Sequence, residues 1–153
     1  MHRAFTLIEL VVVLAVMAVA AAVAIPASVS TAGQYRANLA STRVGADMRR
    51  LQQDSWHNAT TSSIVFSTAG DSYDLVNLEG SGATTTVHLG RSPYRVDLVS
   101  AQFDGVARVD FRAGVSSAAS GGTVRVKASG VTFQATISGG QEARVASVAR
   151  VGG

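Results

Sequence analysis

The sequence predicts an α+β fold in which one long N-terminal helix packs on an antiparallel β-sheet head. The first observation is the distribution of glycine: only Gly33 and Gly45 precede residue 58, and the rest of the fifteen glycines follow it. Glycine is unfavourable inside helices and frequent in turns. The second observation is a change of hydrophobic period at the same place. Residues 5–57 are therefore predicted to be one helix, and residues 58–153 a β-rich globular head.

The first half of the predicted helix is long and apolar. Residues 10–27 are all apolar apart from Pro26, and no charge follows Glu9 until Arg36. With the apolar residues just before it, the stretch reaches the ~20 residues that cross a hydrocarbon core. We predict a transmembrane and assembly segment over residues 5–29. Pro26 should bend or locally open it, since proline lacks a backbone donor.

Glu9 is the one acidic side chain within this apolar segment. A carboxylate inside a membrane helix costs roughly 2.5–3.5 kcal/mol on insertion scales. An unpaired acid would therefore be a poor choice for a simple anchor. A free amino terminus, produced by cleavage before Phe5, would supply the cation that Glu9 needs.

These residues resemble the class III signal of type IV pilins and type II secretion pseudopilins. The resemblance rests on the string Phe5-Thr6-Leu7-Ile8-Glu9-Leu10, in which the acid is fifth from Phe5, and on the apolar run after it. It implies that prepilin peptidase removes the leader, residues 1–4, by cutting between Ala4 and Phe5, and that Phe5 is N-methylated. The family mostly has Gly where this chain has Ala4.

The same resemblance implies a role for Glu9 in assembly, a location and a set of partners. Glu9 would pair with the terminal amine of a neighbouring subunit and set register in a helical filament. Pro26 would kink the helix without ending it. The protein would lie in the bacterial inner membrane as a single-pass protein, with its head in the periplasm or on a pilus. Its partners would be prepilin peptidase and other pseudopilins or minor pilins.

An ordinary secretory signal peptide is the alternative interpretation of this segment. Its apolar core is typically 7–15 residues and ends at small residues. The stretch Ala18–Ala24 could mimic such a cleavage site, but the apolar run is longer and continues as a helix.

The second half of the helix, residues 30–57, is predicted to be its amphipathic soluble half. Small and apolar residues recur at spacings of three and four, the period of one helix face; they are Ala37, Ser41, Val44, Met48, Leu51 and Ser55. Charged residues are assigned to the opposite face, with Arg43–Asp47 and Arg50–Asp54 as i,i+4 ion pairs.

Eight segments of the head have strand character. They are Ser62–Ser67, Ser72–Leu78, Thr84–Leu89, Tyr94–Val99, Ala107–Arg112, Thr123–Ala128, Val131–Ile137 and Ala143–Val148. The clearest hairpin crosses Ser129-Gly130, a suitable two-residue turn. Alternation along this hairpin predicts an inward-facing set of Val124, Val126, Phe133, Ala135 and Ile137.

The head also resembles one group within the family, that of type II secretion protein H and minor pilin T. The residues are Val109–Gly114, then Gly121–Val124, then Phe133–Ile137 followed by Gly139-Gly140. The last turn of that group is often Gly-Arg, whereas here Gln141 follows Gly140. A calcium-binding C-terminal loop of the major-pseudopilin kind is absent from the sequence.

No enzyme, metal site or cofactor is predicted. The chain has no cysteine, and after the leader its only histidines are His57 and His88, without metal-ligand spacing. The run Asp71–Asp74 lacks the Gly and the distal Glu of a calcium loop, so a solvated turn is the preferred interpretation. Phosphate-loop and dinucleotide fingerprints are missing.

One ligand hypothesis concerns the basic residues of the C-terminal third, Arg108, Arg112, Arg125, Lys127, Arg144 and Arg150. Alternation points the first four away from the core, where they could bind phosphates.

The sequence is therefore compatible with two functions. The first is a pseudopilin of a type II secretion filament, and the alternative is a minor type IV pilin whose basic head binds DNA or a surface.

Overall fold

A computed structural model describes residues 6–118, 121–138 and 144–151, without the side chains of residues 23–30, 144–146 and 148. Within these residues the chain forms helix α1 and nine strands. The helix is α1, Leu7–Asn58, and the strands are β1, Thr61–Ser67; β2, Ser72–Val76; β3, Thr84–His88; β4, Asp97–Phe103; β5, Arg108–Arg112; β6, Val115–Ser116; β7, Gly122–Ala128; β8, Val131–Ser138; and β9, Arg144–Val151.

The strands form two antiparallel sheets beside the helix. The first sheet has the order β3-β2-β1-β5-β6, and the second has the order β4-β7-β8-β9. Helix α1 contacts β1 and β5 of the first sheet and β7, β8 and β9 of the second. The predicted α+β class, with an N-terminal helix and antiparallel sheets, is confirmed. The predicted boundaries between leader, membrane segment, soluble helix and head remain predictions.

Helix α1 is 52 residues long and continues through Pro26. Thr6 caps its first turn, and Ala59 ends it in the left-handed region at φ 52°. The kink at Pro26 stays a prediction. Over the part of the chain that is described, no helix has an apolar stretch long enough to qualify as a membrane span. The predicted span over residues 5–29 includes Phe5 and the side chains of residues 23–29, which lie outside that description.

The helix stripe predicted to face the sheets is buried as expected. Each of its six residues, Ala37, Ser41, Val44, Met48, Leu51 and Ser55, is at most 2% exposed. The five inward residues predicted for the hairpin are also buried, and Ala128 pairs with Val131 across the Ser129-Gly130 turn. Positive φ at both turn residues is the geometry that gives a tight hairpin between twisted strands.

Two predictions for the charged helix face are wrong. Asp47 is only 4% exposed, because the first sheet covers it and Tyr73 supplies a hydrogen bond. Arg50 pairs with Glu79 at 2.8 Å and not with Asp54. Asp54 instead accepts hydrogen bonds from Asn58 and Ser62 at the end of the helix.

Strand boundaries differ most in the loop before β4. The segment predicted as Tyr94–Val99 begins as turns, because Arg95 has a positive φ and its N–H bonds the carbonyl of Arg91. The ladder starts at Asp97 and continues to Phe103. The short β6 was not predicted, and Ala143, the predicted start of the last strand, lies outside the described residues.

Candidate assembly site

Thr6 and Glu9 cap each other at the start of the helix. The backbone N–H of Glu9 donates to Thr6 Oγ1 at 3.3 Å. In return, Glu9 Oε2 accepts from the backbone N–H of Thr6 at 3.0 Å and from its hydroxyl at 2.9 Å. This is a capping box, which satisfies N–H groups that the first helical turn leaves without partners. It fixes the direction in which Glu9 presents its carboxylate.

The capping box leaves the carboxylate of Glu9 accessible. Both residues are exposed, and Oε2 accepts both of the hydrogen bonds that the carboxylate receives from Thr6. Oε1 therefore has no hydrogen-bond partner among the described residues. A carboxylate held at the end of a helix, with one oxygen unused, can accept a hydrogen bond from an ammonium group of another molecule.

The helix beyond Glu9 exposes apolar side chains on every face. The large ones are 46–82% exposed, from Leu7 and Ile8 through Val13 and Met17 to Val19. The head does not cover Leu7–Val19, and among the helix residues whose burial is described the first buried one is Gly33. An apolar surface that surrounds a helix completely requires lipid or other apolar helices around it.

The residues predicted for processing, Ala4 and Phe5, lie outside the described part of the chain. Cleavage between them and N-methylation of Phe5 therefore remain predictions. The nearest described residue is Thr6, whose extended φ and ψ of −77° and 151° precede the first helical turn.

A polar cluster around the buried side chains of Asp47 and Tyr73 holds the head on the helix. The Tyr73 hydroxyl donates to Asp47 Oδ2 at 2.6 Å, and Arg43 Nε donates to the same oxygen at 2.9 Å. Burial, followed by the hydrogen bond to Asp47, raises the pKa of Tyr73, so this phenol stays protonated. The hydrogen bond to Asp47 also raises the pKa of Arg43. The cluster fixes the rotation of the helix against the first sheet.

A second contact fixes the far end of the helix. Gln52 Nε2 donates to the carbonyl of Gly114 at 2.8 Å, and the N–H of Gly114 donates to Ser55 Oγ at 3.0 Å. Trp56 packs so closely on Gly114 that a Cβ there would clash with its ring. The turn between β5 and β6 is thus attached to the last helical turns.

The structure divides the six basic candidates between two sheets. Arg108 and Arg112 lie exposed on β5, and Arg125 and Lys127 lie exposed on β7, as alternation predicts. Arg150 is exposed on β9, opposite Phe133. The side chain of Arg144 is outside the description.

Arg108 is already engaged within the head. Its Nε bonds Asp110 Oδ1 at 2.6 Å, and its Nη2 bonds Ser63 Oγ at 3.0 Å. Desolvation raises the pKa of Asp110, but the hydrogen bonds from Ser63 and Arg108 outweigh it and hold that pKa below its usual value. Because these donors are already used and Asp110 neutralises the charge, Arg108 should bind a phosphate more weakly than an unpaired arginine would.

The described residues contain no group of three or more His, Cys, Asp or Glu side chains that could hold a metal ion. Asp71, considered above for a cation, uses Oδ1 to accept the N–H of Leu98 at 2.7 Å. It therefore connects β4 to the turn before β2.

Residues 1–25 match the family model described as the prokaryotic N-terminal methylation motif. This match supports a type IV pilin-like chain that is a substrate of prepilin peptidase and assembles with other pilins. It covers the segment that contains Ala4, Phe5 and Glu9 and does not extend into the head. No curated protein and no solved structure matched the chain.

Sequence reasoning missed the contribution of Thr6. The signal was present, since a Thr followed three residues later by a Glu is the capping-box pattern before an apolar run.

Proposed function

We propose that this protein is a pseudopilin, a structural subunit of a type II secretion periplasmic filament. The observation that carries the proposal is the methylation motif over residues 1–25, which includes the start of a helix. That helix begins with the capping box of Thr6 and Glu9, and its first part exposes apolar side chains on all faces. The role is one of assembly and not of catalysis. We further assign the head to the protein H and minor pilin T group, on the sequence resemblance of its C-terminal half.

The proposed mechanism begins with processing and anchoring. Prepilin peptidase removes residues 1–4 and the new N-terminal Phe5 is methylated. Residues 5–29 anchor the subunit in the inner membrane, with the head in the periplasm. In this setting the exposed side chains between Leu7 and Val19 face lipid tails.

Assembly then exchanges lipid contacts for contacts with other subunits. Apolar helices gain little free energy by exchanging lipid contacts for contacts with each other. The packing of side chains and the pairing of polar groups therefore decide in which register neighbouring helices associate. Glu9 provides the polar pair, because the Thr6 cap directs its carboxylate and leaves Oε1 to accept from the terminal amine of a neighbour. A single polar group among apolar helices is an established way to specify register.

The proposal is tested by photo-crosslinking in cells. A benzophenone amino acid replaces Met17, which is 64% exposed on the apolar segment. We expect adducts with other pilin-like subunits, identified by mass spectrometry, and we expect Glu9→Gln to remove them. Glu79→Gln is the matched control, since Glu79 is an exposed acid of the head. Adducts that persist in Glu9→Gln would contradict the assembly role of Glu9.

The alternative is a minor type IV pilin with the same anchor and processing. The observation that favours it is the exposure of Arg125 and Lys127 side by side on β7. DNA retention that falls steeply with salt concentration would support this alternative. Absence of retention at low salt would leave the pseudopilin as the better account.

A further inference from the structure

The turn between β7 and β8 lies at the end of the head nearest the apolar segment. A Cβ placed on Gly33 would lie 3.0 Å from the carbonyl oxygen of Ala128 and 3.2 Å from Ser129 Cβ. The turn at Gly114, by contrast, bonds Ser55. At 1.5 Å per residue, these two levels of the helix are about 33 Å apart. We call the β7–β8 turn and the strand ends beside it, residues 97–99, 125–132 and 150–151, the base of the head.

The base is close to where the apolar segment ends. The proposed membrane segment ends at residue 29, and Gly33 follows four residues later. That separation is about 6 Å along a helix. The headgroup layer of a bilayer is roughly 5–8 Å thick on each side of the hydrocarbon core. If residues 5–29 cross the membrane, as the proposed function requires, the base lies at the level of the headgroups.

Positive charge dominates the base. Arg125, Lys127 and Arg150 are exposed there, and the acid is Asp97, which pairs in register with Lys127. Ion pairs among the described residues involve Arg43, Arg50 and Arg108, all outside the base. Arg125 is held by its Nε, which donates to Gln134 Oε1 at 2.8 Å. Its two terminal nitrogens have no hydrogen-bond partner among the described residues, so they can bind an anion bidentately.

A groove of about 370 Å³ runs over the base and combines cationic and aliphatic walls. Its lining includes the basic residues Arg125 and Arg150, the hydroxyl-bearing Thr132, and the aliphatic residues Val99, Val131 and Val151. No acidic residue lines it. A phosphate joined to a glycerol and the start of an acyl chain has the matching polarity.

We propose that the base docks on the membrane surface and that its groove binds the headgroup phosphate of an anionic phospholipid. The proposal rests on the proposed membrane anchor. Docking would hold the head upright above its own anchor until the subunit is taken into a filament. Basic side chains next to an anionic bilayer each strengthen such binding by about fivefold.

The test uses the full chain in nanodiscs of phosphatidylcholine, with or without phosphatidylglycerol. The chain has no cysteine, so Ser129→Cys places a single fluorophore at the base. Val115→Cys places the same fluorophore at the opposite end of the head, where Val115 is 56% exposed. A lipid with a nitroxide on its headgroup quenches fluorophores that lie at the membrane surface.

We expect strong quenching at position 129 that increases with phosphatidylglycerol, and weak quenching at position 115 in both discs. The double variant Arg125→Gln, Arg150→Gln should lose the increase. The double variant Arg49→Gln, Arg112→Gln removes the same charge from exposed positions outside the base and should keep it.

Three results would overturn the proposal. Quenching at position 129 that is independent of phosphatidylglycerol, in protein that stays in the discs, would refute headgroup binding while the anchor stands. Protein that does not enter the discs would refute the anchor and the docking together. If the Arg125/Arg150 variant lost binding to a DNA duplex but kept the lipid-dependent quenching, the groove would be a nucleic-acid site.

Discussion

Tyr73, on the second strand of the first sheet, donates its phenolic hydrogen to Asp47 on the helix at 2.6 Å, and both side chains are buried. A carboxylate with 4% exposure requires such a partner, because a buried charge without hydrogen bonds is costly. The bond therefore links helix rotation to sheet position, and through them the apolar segment to the head.

Replacing Tyr73 with Phe should weaken this link with little change in volume. We expect Tyr73→Phe to lower the free energy of unfolding by about 1–3 kcal/mol, since the buried Asp47 loses a donor. Urea unfolding of the full chain in detergent measures the change. Tyr94→Phe is the control, because Tyr94 is only partly buried and should change stability little. Equal stability of Tyr73→Phe and the parent would mean that the bond carries no net energy.

The same tyrosine should make stability depend on alkaline pH. The pKa of Tyr73 is raised above its ordinary value of 10.0, first by burial and then by Asp47. Its contribution is therefore complete below pH 10 and decreases as the pH rises above it. We expect the parent to lose more stability than Tyr73→Phe between about pH 9 and about pH 11. Parallel pH profiles for the two proteins would contradict this assignment.

Two arginines of the soluble half of the helix, Arg43 and Arg50, should differ in their importance for stability. Arg43 bonds the buried Asp47, whereas Arg50 bonds Glu79 with both partners exposed. We expect Arg43→Gln to cost about 1–3 kcal/mol, because it removes a donor from a buried charge. Arg50→Gln should cost less than about 1 kcal/mol, as exposed ion pairs usually do. Thermal unfolding of the two variants side by side gives the comparison, and the reverse order would contradict it.

Gly122 should not tolerate a side chain. A Cβ at this position would overlap the ring of Phe103 and the carbonyl oxygen of Gln102 on the neighbouring strand. We expect Gly122→Ala to destabilise the head by about 1–3 kcal/mol through overpacking. Gly70→Ala is the matched control, since its new Cβ would approach the movable hydroxyls of Ser72 and Ser67 and no backbone atom among the described residues. A loss of stability in Gly70→Ala as large as that in Gly122→Ala would point to a general glycine effect.

Asp110 should contribute to acid sensitivity. Hydrogen bonds from Ser63 and Arg108 outweigh desolvation and hold its pKa below the ordinary value of 3.8. A lowered pKa stabilises the fold above pH 3.8, and this contribution is lost as the pH falls through the folded-state pKa. Asp110→Asn should therefore show a shallower loss of stability on acidification. An unchanged acid profile, measured by circular dichroism, would contradict this role.

The periodic parts of this fold were predictable from the sequence. The helix stripe from Ala37 to Ser55 and the hairpin around Ser129-Gly130 have strong patterns that match their packing. In both elements, the spacing of apolar residues along the sequence is enough to identify the face that is buried. The long helix and the positions of most strands along the chain could therefore be derived without the structure.

The parts that failed depend on contacts distant in sequence. Asp47 has the sequence position of a surface residue, and only Tyr73, 26 residues further along the chain, explains its burial. Arg50 forms its ion pair with Glu79 because the short turn after β2 brings this acid next to the helix. The i,i+4 rule considers only residues of the same helix and therefore cannot predict this pair. The start of β4 was misplaced because the turns around Arg95 leave no clear sequence signal.

The most direct test of the account is the intact mass of the membrane-extracted protein from cells with and without prepilin peptidase. The account predicts a peptidase-dependent species that lacks residues 1–4 and carries one added methyl group. An unprocessed mass in both strains would contradict it, and the assembly role of Glu9 would then have to be abandoned.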